Sequence, residues 1–397
     1  MFAKKAQAIS PSPTLAIDAK AKQMKSEGID IIGFGAGEPD FETPEHIKAA
    51  AIAAIEAGFT RYTPVAGMLD VRAAICEKLK RDNNLAYQET EIVVSNGAKH
   101  ALTNAFAALL NPGDEVIIPA PFWVSYPEIV KLNDGVPVIV PTAAANDFKI
   151  TVEDLQNAFT ERTKVILLNS PNNPTGQIYT RQELQAIADF ALQHNLYIVS
   201  DEIYEQLVYD QYQHVSIAAL NPEIKARTIV VNGVSKTYAM TGWRIGFTAS
   251  TAELAKIMSS VQSHTASNAN SIAQKASIAA LLGPQDCVVK MKAAFAKRRD
   301  YMVKKIATID GLSCIEPKGA FYIFVDVSKL FGRKFNGQAI NSSDDFASLL
   351  LEHAQVAVVP GTGFGAPDYI RLSYALALEQ AKEGLERIEE FIGKLEN

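Results

Sequence analysis

The chain has 397 residues, with 38 Lys plus Arg against 44 Asp plus Glu, for a formal net charge of −6. Its 48% hydrophobic and 21% charged residues are ordinary globular proportions, which excludes disorder over most of the length. The mildly acidic balance argues against a nucleic-acid protein, which shows a basic face or tail, and the length suggests two or three domains.

In chain order, Pro13 suits the first turn of a helix running through PTLAIDAKAKQMKSEG and ended by Gly28. A short strand at residues 31–34 leads into the loop GAGEPDFETP. A helix (PEHIKAAAIAAIEAG), a loop (TRYTPVAGM) and another helix follow. From residue 91 short apolar runs alternate with helical stretches: EIVVSNG, DEVIIPAP, VPVIVP, KVILLNSP, LYIVSDE, TIVVNGVSK and WRIGFTAS. Such alternation, with continuously apolar strands, predicts a mostly parallel sheet covered on both faces by helices. Long helices after residue 250 reach past Tyr301. GAFYIFVDV, VAVVPG and YIRLSYAL then read as strands of a smaller α+β domain.

Three cysteines, Cys76, Cys287 and Cys314, lie far apart without a CxxC, so neither a disulfide framework nor a metal site is expected. The six histidines, at 46, 100, 194, 214, 264 and 353, show no ligand spacing and read as core or surface residues. GFGAGE and GTGFGA both miss the dinucleotide-binding GxGxxG pattern. The N-terminus lacks an apolar signal-peptide segment, and no apolar run approaches the ~18 residues of a membrane span. The expectation is a soluble cytoplasmic protein with no membrane partner.

Ligands of such a sheet bind at the carboxyl ends of its strands, and four of these ends are unusual. In SNGAKHAL a strand turns at Asn96–Gly97 into a helix. The N–H groups of Gly97, Ala98 and Lys99 would point outward there as an anion site, although an ordinary strand–helix turn would look the same. NSPNNPTG carries Asn172 and Asn173 in a turn stiffened by prolines, either for the turn itself or as donors to a ligand. LYIVSDEIY ends an apolar run on Asp201, which is either a helix N-cap or a buried carboxylate in need of a partner. In VNGVSKTYAMTGWRIG, Lys236 follows a strand beside Ser235, and Arg244 sits in a strand-like run. Together these are the protein parts that pyridoxal 5′-phosphate requires: a phosphate cradle with Arg244 and Ser235, a carboxylate for the pyridine nitrogen, and a Schiff-base lysine.

The stretches GAGEPDF, YTPVAG, NGAKHAL, PFWVSYPE, NSPNNPTG, SDEIYE, SKTYAMTGWRIG, KGAFYIF and RLSYA span almost the whole chain. In that order they resemble the class I, fold-type I pyridoxal-phosphate-dependent aminotransferases, most closely the bacterial aspartate aminotransferases of the Iβ type. The resemblance implies a homodimer of two-domain subunits. The large α/β domain would span residues 45–290, and the small one would be built from 1–44 and 291–397. It implies Lys236 as the Schiff-base lysine, Asp201 at the pyridine nitrogen, and Asn173 and Tyr204 as donors to the ring hydroxyl. Trp123 would stack on the ring. Gly97, Ala98, Lys99, Ser235 and Arg244 would form the phosphate region, completed by Tyr62 from the neighbouring subunit. Arg371 would grip the substrate α-carboxylate with help from Gly37 and Asn173, an apt use of a planar fork. Lys99, held against the helix dipole, would read a distal carboxylate. Dicarboxylic amino acids and oxo acids are then the expected substrates: aspartate or glutamate with 2-oxoglutarate or oxaloacetate. Relatives that also use prephenate carry Lys just before an N-terminal Pro-Ser. Ser10 precedes Pro11-Ser12 here, which counts against prephenate. Aromatic, alanine or prephenate specificity, C–S lyase activity, and a non-catalytic binding module on the same fold remain the alternatives.

Overall fold

The alternating apolar runs become one seven-stranded sheet in the computed structural model, which describes residues 2–10 and 13–396. Across the sheet the strands run Ile92–Ser95, Gly246–Ala249, Thr228–Gly233, Tyr197–Asp201, Thr163–Asn169, Glu115–Ala120 and Val136–Pro141. All pairings are parallel except those of Gly246–Ala249, which is antiparallel to both neighbours. The continuous hydrophobicity has a direct cause. Successive side chains point to opposite faces, and both faces are covered. Val165 and Leu167 pack with Ala101, Leu102, Ala105 and Phe106 of the helix Ala98–Leu109. Ile166 and Leu168 pack with Leu184, Ile187 and Ala188 of the helix Arg181–Gln193. The latter helix starts at a capping box, in which Thr180 N–H donates to Glu183 and Glu183 N–H donates to Thr180 Oγ1.

A second, antiparallel sheet has the order Val359–Pro360, Tyr369–Ser373, Tyr322–Asp326, Ser313–Cys314. Its core joins Tyr322, Ile323, Val325, Ile370 and Leu372 to Phe295, Met302 and Ile306 of the helix Asp286–Ile306 and to Ile388 and Phe391 of the helix Leu378–Gly393. Phe34, from the N-terminal part of the chain, is buried in the same core.

Three local expectations are corrected. Residues 31–34 shorten to a strand Ile32–Gly33, which pairs in parallel with Val356–Ala357. VAVVPG is therefore two strands in two sheets, because Val359–Pro360 pairs with Tyr369–Ser373 instead. Arg244 is not in a strand: it follows a one-turn helix, Thr241–Trp243, at a left-handed φ of +54°, and the strand begins only at Gly246. A short helix, Lys4–Gln7, precedes everything anticipated. Among the described residues no helix is long and apolar enough to cross a membrane.

Candidate active site

The carboxyl ends of the strands open onto a cavity of about 250 Å³, whose wall also includes residues of the small sheet and the N-terminal loop. Eleven of the thirteen residues singled out from sequence line it: Gly37, Ala98, Lys99, Trp123, Asn173, Asp201, Tyr204, Ser235, Lys236, Arg244 and Arg371. The other two are Gly97, beside the cavity, and Tyr62, outside it.

Asp201 closes its strand with its side chain 3% exposed. Tyr126 O–H donates to Oδ2 at 2.8 Å, and the Ile203 N–H donates to Oδ1 at 3.2 Å. No helix follows, so the N-cap reading is set aside. Burial disfavours the charged carboxylate and pushes its pKa up to about 6, against the pull of the Tyr126 hydrogen bond. Lys236 donates from Nζ to the Gly37 carbonyl at 2.5 Å. Part of its surface opens to the cavity, yet the rest is enclosed by protein. That enclosure lowers its pKa to about 8, with Arg244 and Arg371 adding to the effect and Glu38 and Asp201 opposing it. Floor acid and floor amine are thus both shifted toward neutrality, a common signature of a working site.

Arg371 lies on the strand Tyr369–Ser373 and is 3% exposed. One terminal nitrogen donates to Asn173 Oδ1 at 3.1 Å and the other to the Gly35 carbonyl at 2.9 Å. Its Nε is buried without a partner, and its plane stacks over Tyr322 at 4.4 Å. No carboxylate pairs with it among the described residues. A buried arginine without a carboxylate partner is rare, and this arrangement suits Arg371 to hold an anion. Asn173 commits its carbonyl oxygen to Arg371, which leaves its amide N–H groups for something in the cavity.

The anion cradle differs from expectation in one respect. Gly97 N–H donates to Ser95 O at 2.8 Å, so only the Ala98 and Lys99 amides, in the first turn of their helix, are left without an intrahelical acceptor. Gly97 matters for space instead: at φ +85°, a Cβ there would lie 2.2 Å from an Arg244 terminal nitrogen. Arg244 is exposed and is braced by a 2.9 Å hydrogen bond to the Thr241 carbonyl. Lys99 Nζ stands 4.9 Å from the Trp123 ring centroid, and burial, then Arg244, lowers its pKa. Tyr62 is 90% exposed. Of the segment Ser10–Ser12, Ser10 donates its N–H to Glu128 at 3.0 Å, whereas Pro11 and Ser12 lie outside the described residues.

Sequence reasoning missed Tyr126, Tyr322, Asn169, Gly35 and Ile203, all of which line the cavity. Tyr126 holds Asp201, and Tyr322 O–H lies 3.0 Å from Tyr204 O–H. Each except Gly35 and Ile203 sits inside or beside a stretch rich in aromatic or amide residues (PFWVSYPE, KGAFYIF, NSPNNPTG). That local clustering was the available signal.

An amine and an acid poised near neutrality, two helix-turn amides beside an arginine, and a buried arginine with no carboxylate partner among the described residues suit amine chemistry on anionic substrates. The chain belongs to the aminotransferase class I and II family, whose profile matches residues 29–388. It is 50% identical over 392 residues to the aspartate aminotransferase of Bacillus sp. (strain YM-2), covering 99% of each chain. Its fold matches the crystal structure of the aspartate aminotransferase from Rhizobium meliloti with a TM-score of 0.96 at 46% identity, over 100% of this chain and 99% of that one. It also matches the aspartate aminotransferase from Thermus thermophilus with maleate, at TM-score 0.93 and 41% identity, over 98% and 99%.

Proposed function

We propose that this protein is an aspartate aminotransferase: it moves the amino group of L-aspartate to 2-oxoglutarate, reversibly, with pyridoxal 5′-phosphate as cofactor. The observation that carries the reading is Arg371, buried with an unpartnered Nε and no carboxylate, in the same cavity as a second cation, Lys99. Two cations set at different points suit a dicarboxylate better than a neutral amino acid. A four-carbon dicarboxylate, maleate, is named with one close structural relative.

The residues present fit the cofactor. The Ala98 and Lys99 amides, Ser235 and Arg244 supply the donors a phosphate needs, and the absent Gly97 side chain keeps that space open. Asp201 would face the ring nitrogen, Trp123 the ring face, and Asn173 and Tyr204 the ring hydroxyl. Lys236 would hold the aldehyde carbon. When bound, the cofactor supplies an electron sink for charge that develops at the substrate Cα.

The remaining work falls to side chains. Arg371 clamps the α-carboxylate bidentately and so fixes the direction of the Cα–H bond. Lys236 Nζ takes the Cα proton: a pKa of about 8 leaves a useful neutral fraction near pH 7, whereas an ordinary lysine is almost wholly protonated. Asp201, when ionised, holds a proton on the ring nitrogen through charge pairing. Lys99 orients the distal carboxylate. We further propose that the chain works as a homodimer, with Tyr62 reaching the neighbouring site. Exposure of Tyr62 together with Ile52, Ile55 and Leu69 supports a covered face there. We propose a subunit of two domains as well, residues 45–290 against 1–44 with 291–397; the second core, which joins Phe34 to Tyr322, Ile370 and Phe391, supports it.

The test is a panel of amino donors with 2-oxoglutarate. Aspartate is expected to give the highest kcat/KM. A neutral or aromatic donor exceeding aspartate would overturn the assignment.

A further inference from the structure

Tyr62 is 90% exposed and lies in a stretch without helix or strand, between the helices Glu45–Glu56 and Leu69–Asn83. Such a stretch is ordinarily loose, because fixing each residue costs backbone entropy. This one is tied down along its length. Ser271 Oγ donates to the Phe59 carbonyl at 2.9 Å. Beyond Tyr62 the chain makes a tight turn, closed by the Gly67 N–H donating to the Pro64 carbonyl at 2.9 Å. The turn lies against Ile92–Ser95, which edges the seven-stranded sheet. The approach is so close that a Cβ on Gly67 would lie 2.6 Å from Val94 Cγ2. An edge strand leaves backbone groups without a strand partner. Here the Val94 N–H donates to the Ala66 carbonyl at 2.9 Å, and the Val94 carbonyl accepts from Gln262 Nε2 at 2.8 Å.

Two glutamines, each 0% exposed, complete the attachment. Gln262, on the helix Ala252–Thr265, donates from Nε2 to the Val65 carbonyl at 2.8 Å as well as to Val94. Its Oε1 accepts from Ser95 Oγ at 2.6 Å and Asn104 Nδ2 at 2.8 Å. Gln274, on the helix Ser271–Leu282, accepts from the Met68 N–H at 2.9 Å. Its Nε2 donates to Thr63 Oγ1 at 3.0 Å and to the Ala269 carbonyl at 2.8 Å. Buried amides are costly unless their groups are matched, and these are matched largely to the segment that carries Tyr62. Thr63 and Met68 bracket the turn, so Gln274 closes it from beneath.

We propose that Gln262 and Gln274 are positioning residues that act in trans: they hold the segment 59–68 rigid, so that Tyr62 meets the cofactor phosphate in the neighbouring subunit already ordered. The inference rests on the homodimer reading given above, in which Tyr62 reaches that site. The gain is pre-organisation, since a contact made by a fixed loop carries no ordering cost on binding. Gln262 also touches Ser95 and Asn104 beside the anion cradle of its own chain, so Gln274 is the cleaner residue to vary.

Sedimentation of the cofactor-free protein reads the dimer by itself, and a monomer defeats the homodimer reading and this inference with it. In the same cofactor-free protein, Gln274→Met, which keeps the volume and removes the hydrogen bonds, should speed hydrogen exchange at the Gly67 and Val94 amides about tenfold. Unchanged exchange overturns the claim that Gln274 holds the loop. Titration with pyridoxal 5′-phosphate, followed at the near-visible band, then gives Kd. Tyr62→Phe is expected to raise Kd about tenfold, and Gln274→Met by a similar factor. In the double variant Gln274→Met should add nothing, because its effect runs through Tyr62. No effect of Tyr62→Phe defeats the reach of Tyr62 itself. Additive effects, or no effect of Gln274→Met alone, overturn the positioning role. Thr63→Val, which removes one Gln274 contact, should raise Kd about threefold and decides the matter if Gln274→Met does not fold; an unchanged Kd there overturns the proposal. Heterodimers with one Lys236→Ala subunit keep one working site. Their activity at subsaturating cofactor should fall more when Gln274→Met shares a chain with Lys236→Ala than when it shares one with the working Lys236. Equal losses, or the reverse order expected of a merely structural residue, overturn the action in trans.

Discussion

On the floor of the cavity, Asp201, Asn173, Tyr204 and Arg371 are buried and held by short hydrogen bonds to Tyr126, Tyr322 and the Gly35 carbonyl. At the rim, Lys99 and Arg244 are exposed and Tyr62 is almost wholly so. The floor takes its charges from two different sheets, so its precision depends on how those sheets pack. The rim takes its charges from one helix turn and one left-handed residue, so it depends on local backbone. Asp201 and Lys236 are shifted by deep burial; at the rim Lys99 is lowered by partial burial and by Arg244, and both rim cations keep contact with solvent. Chemistry should therefore fail when the floor is altered, and selectivity when the rim is.

The largest effect is expected from Lys236→Ala. Loss of the floor amine should lower kcat by about 10⁴-fold, and a rate within tenfold of wild type would break the distinction. Next is Asp201→Asn, measured in the unliganded chain. Burial raises the acid from an ordinary 3.8 to about 6. Between those values the folded state binds more protons than the unfolded state, so Asp201 contributes progressively less stability as pH rises from about 4 to 6. The neutral asparagine escapes that loss. Denaturation midpoints should favour the variant at pH 7.5 by up to about 3 kcal/mol, with the advantage gone at pH 4. An equal difference at both pH values would contradict the cause given.

Arg371→Lys keeps the charge but loses the fork and the stacking on Tyr322. A fall in kcat/KM of about a hundredfold for every amino donor is expected, since all share an α-carboxylate. At the rim, Lys99→Ala should lower kcat/KM for aspartate about tenfold more than for alanine. Equal losses for the two donors would remove its role in reading the distal carboxylate.

Much of this was legible in the chain. Continuously apolar runs such as KVILL announced a sheet covered on both faces, and Asp201 and Lys236 stood out because each ends such a run. The breaks were less visible. Arg244 reads as strand because Trp243, Ile245 and Phe247 alternate with it, but the tight turn that aims it at Gly97 overrides that pattern. Nothing in the spacing of Tyr126 and Tyr322 shows that their hydroxyls meet Asp201 and Tyr204.

The most direct test of the account is to add pyridoxal 5′-phosphate to the purified protein and record its near-visible absorption before and after L-aspartate. The account predicts a band that aspartate bleaches and 2-oxoglutarate restores, and that fails to respond in Lys236→Ala. A wild-type protein that binds no cofactor, or whose band is indifferent to aspartate, would contradict it.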